Sequence, residues 1–255
     1  MVVESERIRN LVRFDARHSQ DSWVRAQLAS LEAYSSQLIA DGRTSVVDFL
    51  DAAIRAAAVL PFDAKQTGGG RARHGLGDHL ARAHERGLRK QSVAMPAGLV
   101  ARENVHRVLK DLGLITSMCV PLSVVLCRTV RRYETVAHEH EGLAEFLTKS
   151  LDAALVVAEK FVAEVVALRL KWGELISPRL GTVLAMAVDH VGRHACLRSG
   201  PLLEQTGANK SNVYRAIDEL EAVGIIREVT GRKKDQMWVS PDLVDLIAAT
   251  VGTGR

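Results

Sequence analysis

The stretch that decides the fold is residues 204–239, EQTGANKSNVYRAIDELEAVGIIREVTGRKKDQMWV. Gly207 separates two helical segments, and a tight turn that contains glycine is typical of a helix-turn-helix. The second helix would be capped by Asn209 or Ser211, and Gly224 would end it. Apolar residues at spacings of four and three predict its buried stripe. The stripe consists of Val213, Ile217 and Leu220, and Val223 extends it.

The second half of this stretch predicts a β-hairpin. Two short β-like runs flank a basic tip, in which Arg232, Lys233 and Lys234 would project into solvent. The apolar positions expected to pack are Ile226, Val229, Met237 and Val239. A helix at 178–192 and a short β-like run at 194–197 precede the helix-turn-helix. This order of elements predicts a winged helix-turn-helix domain over residues 178–247.

Such a domain binds DNA with the N-terminal end of its second helix and with its wing. Cations at a hairpin tip suit phosphate groups, which add affinity without sequence choice. The residues predicted to contact DNA are Asn209, Lys210, Ser211, Asn212, Tyr214, Arg215, Arg232, Lys233 and Lys234. Acidic residues reduce the net positive charge of this surface, since residues 178–240 hold nine Lys or Arg and seven Asp or Glu. A wing that contacts protein therefore stays open as an alternative.

The composition of the chain predicts a mainly helical protein. Of 255 residues, 47% are hydrophobic and only 4% aromatic, so the core would consist mostly of aliphatic residues. Three cysteines without a C-x-x-C pair argue against a disulfide framework or a structural zinc site. The absence of a secretory leader and of a long apolar run predicts a cytoplasmic protein that does not enter the membrane.

The first predicted region, residues 1–98, combines helices with a basic linker. Helical periodicity covers residues 22–60, with a second helix capped at Thr44 or Ser45. Residues 61–96 are rich in Gly, Arg and His, which favours a mobile linker with one weak helix near 78–88. The segment 71–90 carries six Lys or Arg and two acids, so added DNA contact is the alternative to a solvated linker.

The second predicted region, residues 99–176, is helical throughout. Its last segment is expected to form one long helix or two helices broken near Ser150. We expect the part at 143–172 to be available for self-association, because winged-helix proteins usually bind paired half-sites as dimers. His138 and His140 are two residues apart, a spacing that favours a polar surface run over a metal site. No pattern in the chain predicts a bound cofactor or metal.

Residues 100–247 resemble bacterial Fic-family proteins. The stretch from EQTGANKSN to DLVDLI is similar to their C-terminal winged helix, and RVLKDLGLITSMCVPLSVVLCRTVRRYETVAHEHEG resembles the helices after their catalytic loop. The resemblance implies a protein adenylyltransferase, which transfers AMP from ATP to a protein side chain. In that family a loop of the form H-P-F-x-D/E-G-N-G-R supplies a general base, a magnesium ligand and phosphate contacts.

That catalytic loop is absent from this chain. With the match anchored at residues 107–109, the general-base position falls on Pro96 and the acidic position on Val100. The phosphate-binding arginine falls on Asn104, and only Arg107 matches. The sequence therefore predicts a degenerate Fic-like protein without a catalytic residue.

The predicted function is that of a DNA-binding transcriptional regulator. Its expected partners are double-stranded DNA and a second copy of the chain. Two alternatives stay open: a residual adenylyltransferase with an atypical ATP site, and a scaffold whose wing binds a protein partner.

Overall fold

A computed structural model describes residues 2–55, 75–89, 97–232 and 234–252, and it gives a mainly helical chain. This confirms the mainly helical fold class that the composition predicts. The helices are α1 Val2–His18, α2 Ser22–Asp41, α3 Val46–Arg55, α4 Leu76–Arg89, α5 Ala97–Asp111, α6 Leu122–Arg128, α7 Val130–Glu139, α8 Leu143–Leu175, α9 Val183–His194, α10 Ser199–Thr206, α11 Lys210–Ala222 and α12 Pro241–Val251. The strands are β1 Cys196–Arg198, β2 Arg227–Glu228 and β3 Met237–Val239.

The chain divides into two compact units. We call the first the N-terminal unit, and it comprises Met1–Asp21, Leu28–Thr44 and Val59–Lys160. The second, the C-terminal unit, comprises Ser22–Gln27, Ser45–Ala58 and Phe161–Arg255. Helices α2 and α8 contribute residues to both units.

The core of the N-terminal unit is built from aliphatic side chains of α1 and α4–α8. Leu11, Leu80, Leu109 and Leu147 are among its fully buried residues. Helices α4 and α5 approach each other closely at Gly87, where an added Cβ would lie 2.3 Å from the Ala101 Cα. Because that distance is far below van der Waals contact and the neighbour is backbone, only glycine permits this packing.

Helix α4 corrects the prediction of a solvated linker over its length. The weak helix expected near 78–88 is present, but it extends over Leu76–Arg89 and has a buried face. That face consists of Leu76, Leu80, Ala81, Ala83, His84 and Gly87. Its small and polar residues give little apolar signal in the sequence, while the exposed arginines resemble a solvated run. The preceding part of the predicted linker, residues 61–74, lies outside the described residues.

Two buried carboxylates hold loops of the N-terminal unit in place. Asp15 of α1 accepts hydrogen bonds from the Thr116 hydroxyl at 2.5 Å and from the Met118 amide at 2.9 Å. Glu32 of α2 accepts from the Ser123 amide at 2.7 Å and from its hydroxyl at 2.5 Å. Each carboxylate therefore satisfies backbone donors that would otherwise be buried without a partner.

In the C-terminal unit, the three strands form an antiparallel sheet in the order β1-β3-β2. Leu197 pairs with Trp238 across β1 and β3, and Glu228 pairs with Trp238 across β2 and β3. The Trp23 ring packs against Gly192 of helix α9, where an added Cβ would lie 2.1 Å from a ring atom. The Trp23 indole also donates to Asp189 at 2.9 Å, which fixes the ring.

The local helix predictions for residues 22–175 can be compared directly with the observed elements. Ser45, one of the two expected caps, accepts from the Asp48 amide at 3.1 Å at the start of α3. Helix α8 is one continuous helix that passes through Ser150 without a break. In the part of the chain that the structure describes, we find no helix long and apolar enough to cross a membrane.

Candidate nucleic-acid interface

Helix α11 is anchored by one apolar face. Val213, Ile217 and Leu220 are each 0% exposed, as their spacing predicts. Asn209 is the N-cap, and its side chain accepts from the Asn212 amide at 2.9 Å. Gly207 has φ +62°, a left-handed conformation that ends α10 and that glycine adopts without strain. These contacts give α11 a fixed orientation within the C-terminal unit.

The predicted extension of the stripe to Val223 is wrong. Val223 is 36% exposed, whereas Ile225 and Ile226 are each 1% exposed. The helix ends at Ala222, and Gly224 with φ +77° turns the chain. Because of this turn, the two isoleucines enter the core in place of Val223.

The predicted DNA-contacting residues of α11 lie away from the buried stripe. Lys210, Ser211, Tyr214 and Arg215 are exposed, and Asn212 is half-buried. The Tyr214 hydroxyl lies 3.4 Å from the Ser199 hydroxyl. Arg215 has a 72% exposed side chain and only a long, 4.0 Å ion pair with Glu219. This face therefore presents cations and hydrogen-bonding groups to solvent.

The loop between β2 and β3 is organised by Glu228. Its carboxylate accepts from the Thr230 hydroxyl, from the Thr230 amide at 2.8 Å and from the Gly231 amide at 3.0 Å. The hydrogen bond from the Thr230 hydroxyl, and next that from the Gly231 amide, lowers the pKa of the Glu228 carboxyl. A charged Glu228 thus closes a tight turn directly before the basic tip.

The other end of this loop is held by Arg198 of β1. Its guanidinium donates to the Asp235 carbonyl at 2.9 Å and forms a salt bridge with Asp51 of α3. Asp235 itself has φ +54°, which is uncommon for a residue other than glycine. Both ends of the loop are therefore fixed by side chains that lie outside its tip.

The cations of the tip are exposed where the structure describes them. Arg232 and Lys234 are exposed and form no salt bridge with another described residue. Lys233 lies outside the described residues. Among the described residues, no hydrogen bond or salt bridge links these cations to those of α11.

Sequence reasoning missed the residues that shape this loop. Glu228, Thr230 and Arg198 carry no named motif, and Arg198 is 37 residues before the carbonyl that it binds. One local feature points to the Glu228 turn, namely a glutamate followed two and three residues later by Thr230 and Gly231. Long-range partners such as Asp51 leave no such pattern.

The positions matched to the Fic catalytic loop do not form a catalytic cluster in the described part of α5. The Asn104 amide donates to the Ala83 carbonyl at 3.3 Å, and Arg107 pairs with Glu103 at 2.8 Å. Pro96 lies outside the described residues. His138 and His140 are exposed, and we find no cluster of metal-ligating side chains among the residues that the structure describes.

Comparison with known proteins assigns no family to this chain. No protein-family model matches the chain, and no curated protein matches it.

Proposed function

We propose that this chain is a DNA-binding protein, and specifically a transcriptional regulator, whose C-terminal residues 178–247 form a winged helix. The observation that carries the proposal is the division of α11 into two faces. One face is fully buried and fixes the helix, while the other presents Lys210, Tyr214 and Arg215 to solvent. A fixed helix with an exposed basic N-terminal end suits insertion into the DNA major groove.

In this proposal, different side chains of α11 have different tasks. Lys210 at the first helical position contacts phosphate, where the positive end of the helix dipole adds to its charge. Asn212 and Arg215 contact base edges, since amide and guanidinium groups can form paired hydrogen bonds with adenine and guanine. The helix would therefore determine which sequence is bound.

The loop between β2 and β3 serves as the wing. Arg232 and Lys234 are exposed, and Glu228 and Arg198 hold the two ends of the loop. Cations on an ordered loop neutralise phosphates without losing much conformational entropy on binding. The wing would therefore add affinity that falls with salt and depends little on sequence.

We further propose that the protein binds as a dimer on paired half-sites. A single winged helix buries a small surface on DNA, and two-fold symmetry doubles the contact. The relation to Fic-family proteins stays a prediction from the sequence.

Selection of bound fragments from a pool of random duplexes by the full-length protein tests the proposal. We expect one enriched motif with two half-sites. Asn212→Ala and Arg215→Ala should each weaken binding to the motif by about 1–3 kcal/mol and relax the choice of base at one position.

A matched control is the double variant Arg9→Ala/Arg13→Ala, which removes two exposed arginines of α1. It should bind the selected motif as the wild type does. Failure of the wild-type protein to bind any duplex at low salt would reject the proposal and favour a protein-binding scaffold. Equal losses in the α11 and α1 variants would indicate attraction by general charge and reject α11 as the helix that determines the bound sequence.

A further inference from the structure

The N-terminal unit contains a cavity with an apolar wall and a polar end. Residues of α2, α4, α5 and α7 line a space of about 480 Å³, within the range of small-molecule sites. Ile39, Leu88 and Ala137 contribute apolar surface, and Arg102 and Tyr133 contribute polar groups. The cavity thus has the mixed lining that binds and orients an organic molecule.

Arg102 is the unusual group in this cavity. It is 1% exposed, and arginine is rarely buried to this extent unless a carboxylate pairs with it. Its Nε donates to the Ser36 hydroxyl at 2.7 Å, and one terminal nitrogen donates to the Ser36 carbonyl at 2.9 Å. The other terminal nitrogen lies 3.4 Å from the Tyr133 hydroxyl. Every one of these partners is neutral, and Arg102 forms no salt bridge with a described residue.

The guanidinium retains hydrogen-bonding capacity for a ligand. Of its five N–H groups, three are used by Ser36 and Tyr133, which leaves two. Tyr133 is itself fixed, because its hydroxyl lies 2.8 Å from the His84 Nε2 and the two rings meet edge to face. Arg102 is therefore a buried, oriented cation that lines the cavity and has no anionic partner among the described residues.

The other charged side chains around the cavity limit which anions it can bind. Arg89 adds one positive charge to that of Arg102, and Glu85 and Glu134 contribute two negative charges. Apart from its two histidines, the lining has no net formal charge. Repulsion from the two glutamates is about twice as large for a dianion such as phosphate as for a single carboxylate bound at Arg102.

We infer that the cavity is a binding site for a small molecule that carries one carboxylate on an apolar body. The carboxylate accepts hydrogen bonds from Arg102, and the apolar body packs against Ile39, Leu88 and Ala137. Charge-assisted bonds of this kind are about twice as strong as neutral ones, and guanidinium geometry suits a carboxylate. This inference does not rest on the proposed binding of DNA.

Isothermal titration calorimetry with the full-length chain tests the site. The probes are 1-naphthoate, its neutral amide 1-naphthamide, and inorganic phosphate. We expect saturable binding of naphthoate, with the amide at least about tenfold weaker because it lacks the charge. Phosphate should bind more weakly than naphthoate.

Variants assign the binding to this cavity. Ala40 is exposed and lines the space, so Ala40→Phe fills the cavity from its rim without disturbing the core. Naphthoate binding should be lost in this variant. Arg102→Lys keeps the charge but not the forked geometry and should weaken binding about tenfold. The matched control is Arg107→Lys on the exposed face of the same helix, which should bind as the wild type does.

Several results would overturn the inference. These are absence of saturable naphthoate binding, equal affinity for acid and amide, and unchanged binding in Ala40→Phe. Tighter binding of phosphate than of naphthoate would contradict the assignment to carboxylates. Should Arg102→Lys fail to fold, the Ala40→Phe variant alone decides whether this cavity holds the probe.

Discussion

The two units place their charged side chains in opposite ways. Among the described residues of the N-terminal unit, the buried Asp, Glu, His, Arg and Lys side chains are Asp15, Glu32, His84, Arg102, His106 and Lys110. Among the described residues of the C-terminal unit, no Asp, Glu, His, Arg or Lys side chain is buried. This difference fits the two partners that we propose. Charges on the surface suit a large charged ligand such as DNA, while a buried cation beside a cavity suits a small anion.

The largest expected effect comes from removing a buried carboxylate. Glu32→Ala leaves the Ser123 amide and hydroxyl without their acceptor and removes the carboxylate 3.9 Å from His106. We expect a loss of about 3–5 kcal/mol in the free energy of unfolding. Urea denaturation of the purified variants measures it.

The matched change in the C-terminal unit is Glu219→Ala on α11. Glu219 is 49% exposed at its side chain and pairs with Arg215 at 4.0 Å. Surface changes of this kind alter stability by about 0.5 kcal/mol or less. Similar losses in Glu32→Ala and Glu219→Ala would contradict the contrast between the units.

Acid should destabilise the N-terminal unit through His84. Burial, and next the charge of Arg102, lowers the pKa of His84 to about 4 from its ordinary value of 6.5. The unfolded chain then binds more protons than the native chain between these values. The stability from neutral His84 is therefore complete above about pH 6.5 and is lost as the pH falls to about 4, with a total of about 3 kcal/mol.

Denaturant melts at a series of pH values measure this dependence. His84→Gln should reduce the loss of stability between pH 6.5 and 4 by about 3 kcal/mol. The part due to His190 and His194, whose pKa values burial also lowers, should remain. His138→Gln, at an exposed position, should leave the profile unchanged.

Asp15 titrates below this pH range. Burial alone would raise the pKa of Asp15, but hydrogen bonds led by that from the Thr116 hydroxyl lower it. The stability that charged Asp15 contributes is therefore lost only below about pH 4. An unchanged profile in His84→Gln would argue against a neutral buried histidine.

The smallest expected effect is on the wing. Glu228→Gln weakens the turn before the basic tip, because a neutral amide accepts the Thr230 and Gly231 donors less strongly. We expect DNA affinity to fall a few-fold with no change in melting temperature. Removing a negative charge would by itself strengthen binding to DNA, so the sign of the change is informative. Glu219→Gln provides that comparison, and a gain in both variants would reject an ordering role for Glu228.

The elements of the C-terminal unit could be predicted because their causes are local. The cap at Asn209, the turn at Gly207 and the spacing of Val213, Ile217 and Leu220 all act within a few residues. The error at Val223 is also local, since it depends on where Gly224 turns the chain. Exposure of Lys210, Ser211, Tyr214 and Arg215 follows from the same periodicity.

The interior of the N-terminal unit could not be predicted in this way. Arg102 meets Ser36 across 66 residues, and Glu32 meets Ser123 across 91 residues. Nothing in a single sequence links such positions. For α4 the sequence predicts only a weak helix within a linker, because its buried face consists partly of Ala, Gly and His. Burial of these residues depends on the close approach at Gly87, which the pattern does not reveal.

The most direct test of the central claim is the salt dependence of DNA binding by the wild type and by Arg232→Ala/Lys234→Ala. Each phosphate contact contributes about 0.9 to the slope of log affinity against log salt. If both cations contact phosphate, the slope of the double variant should be shallower by about 2, with the same preferred sequence. Equal slopes for the two proteins would contradict the account, because the loop would then not contact DNA.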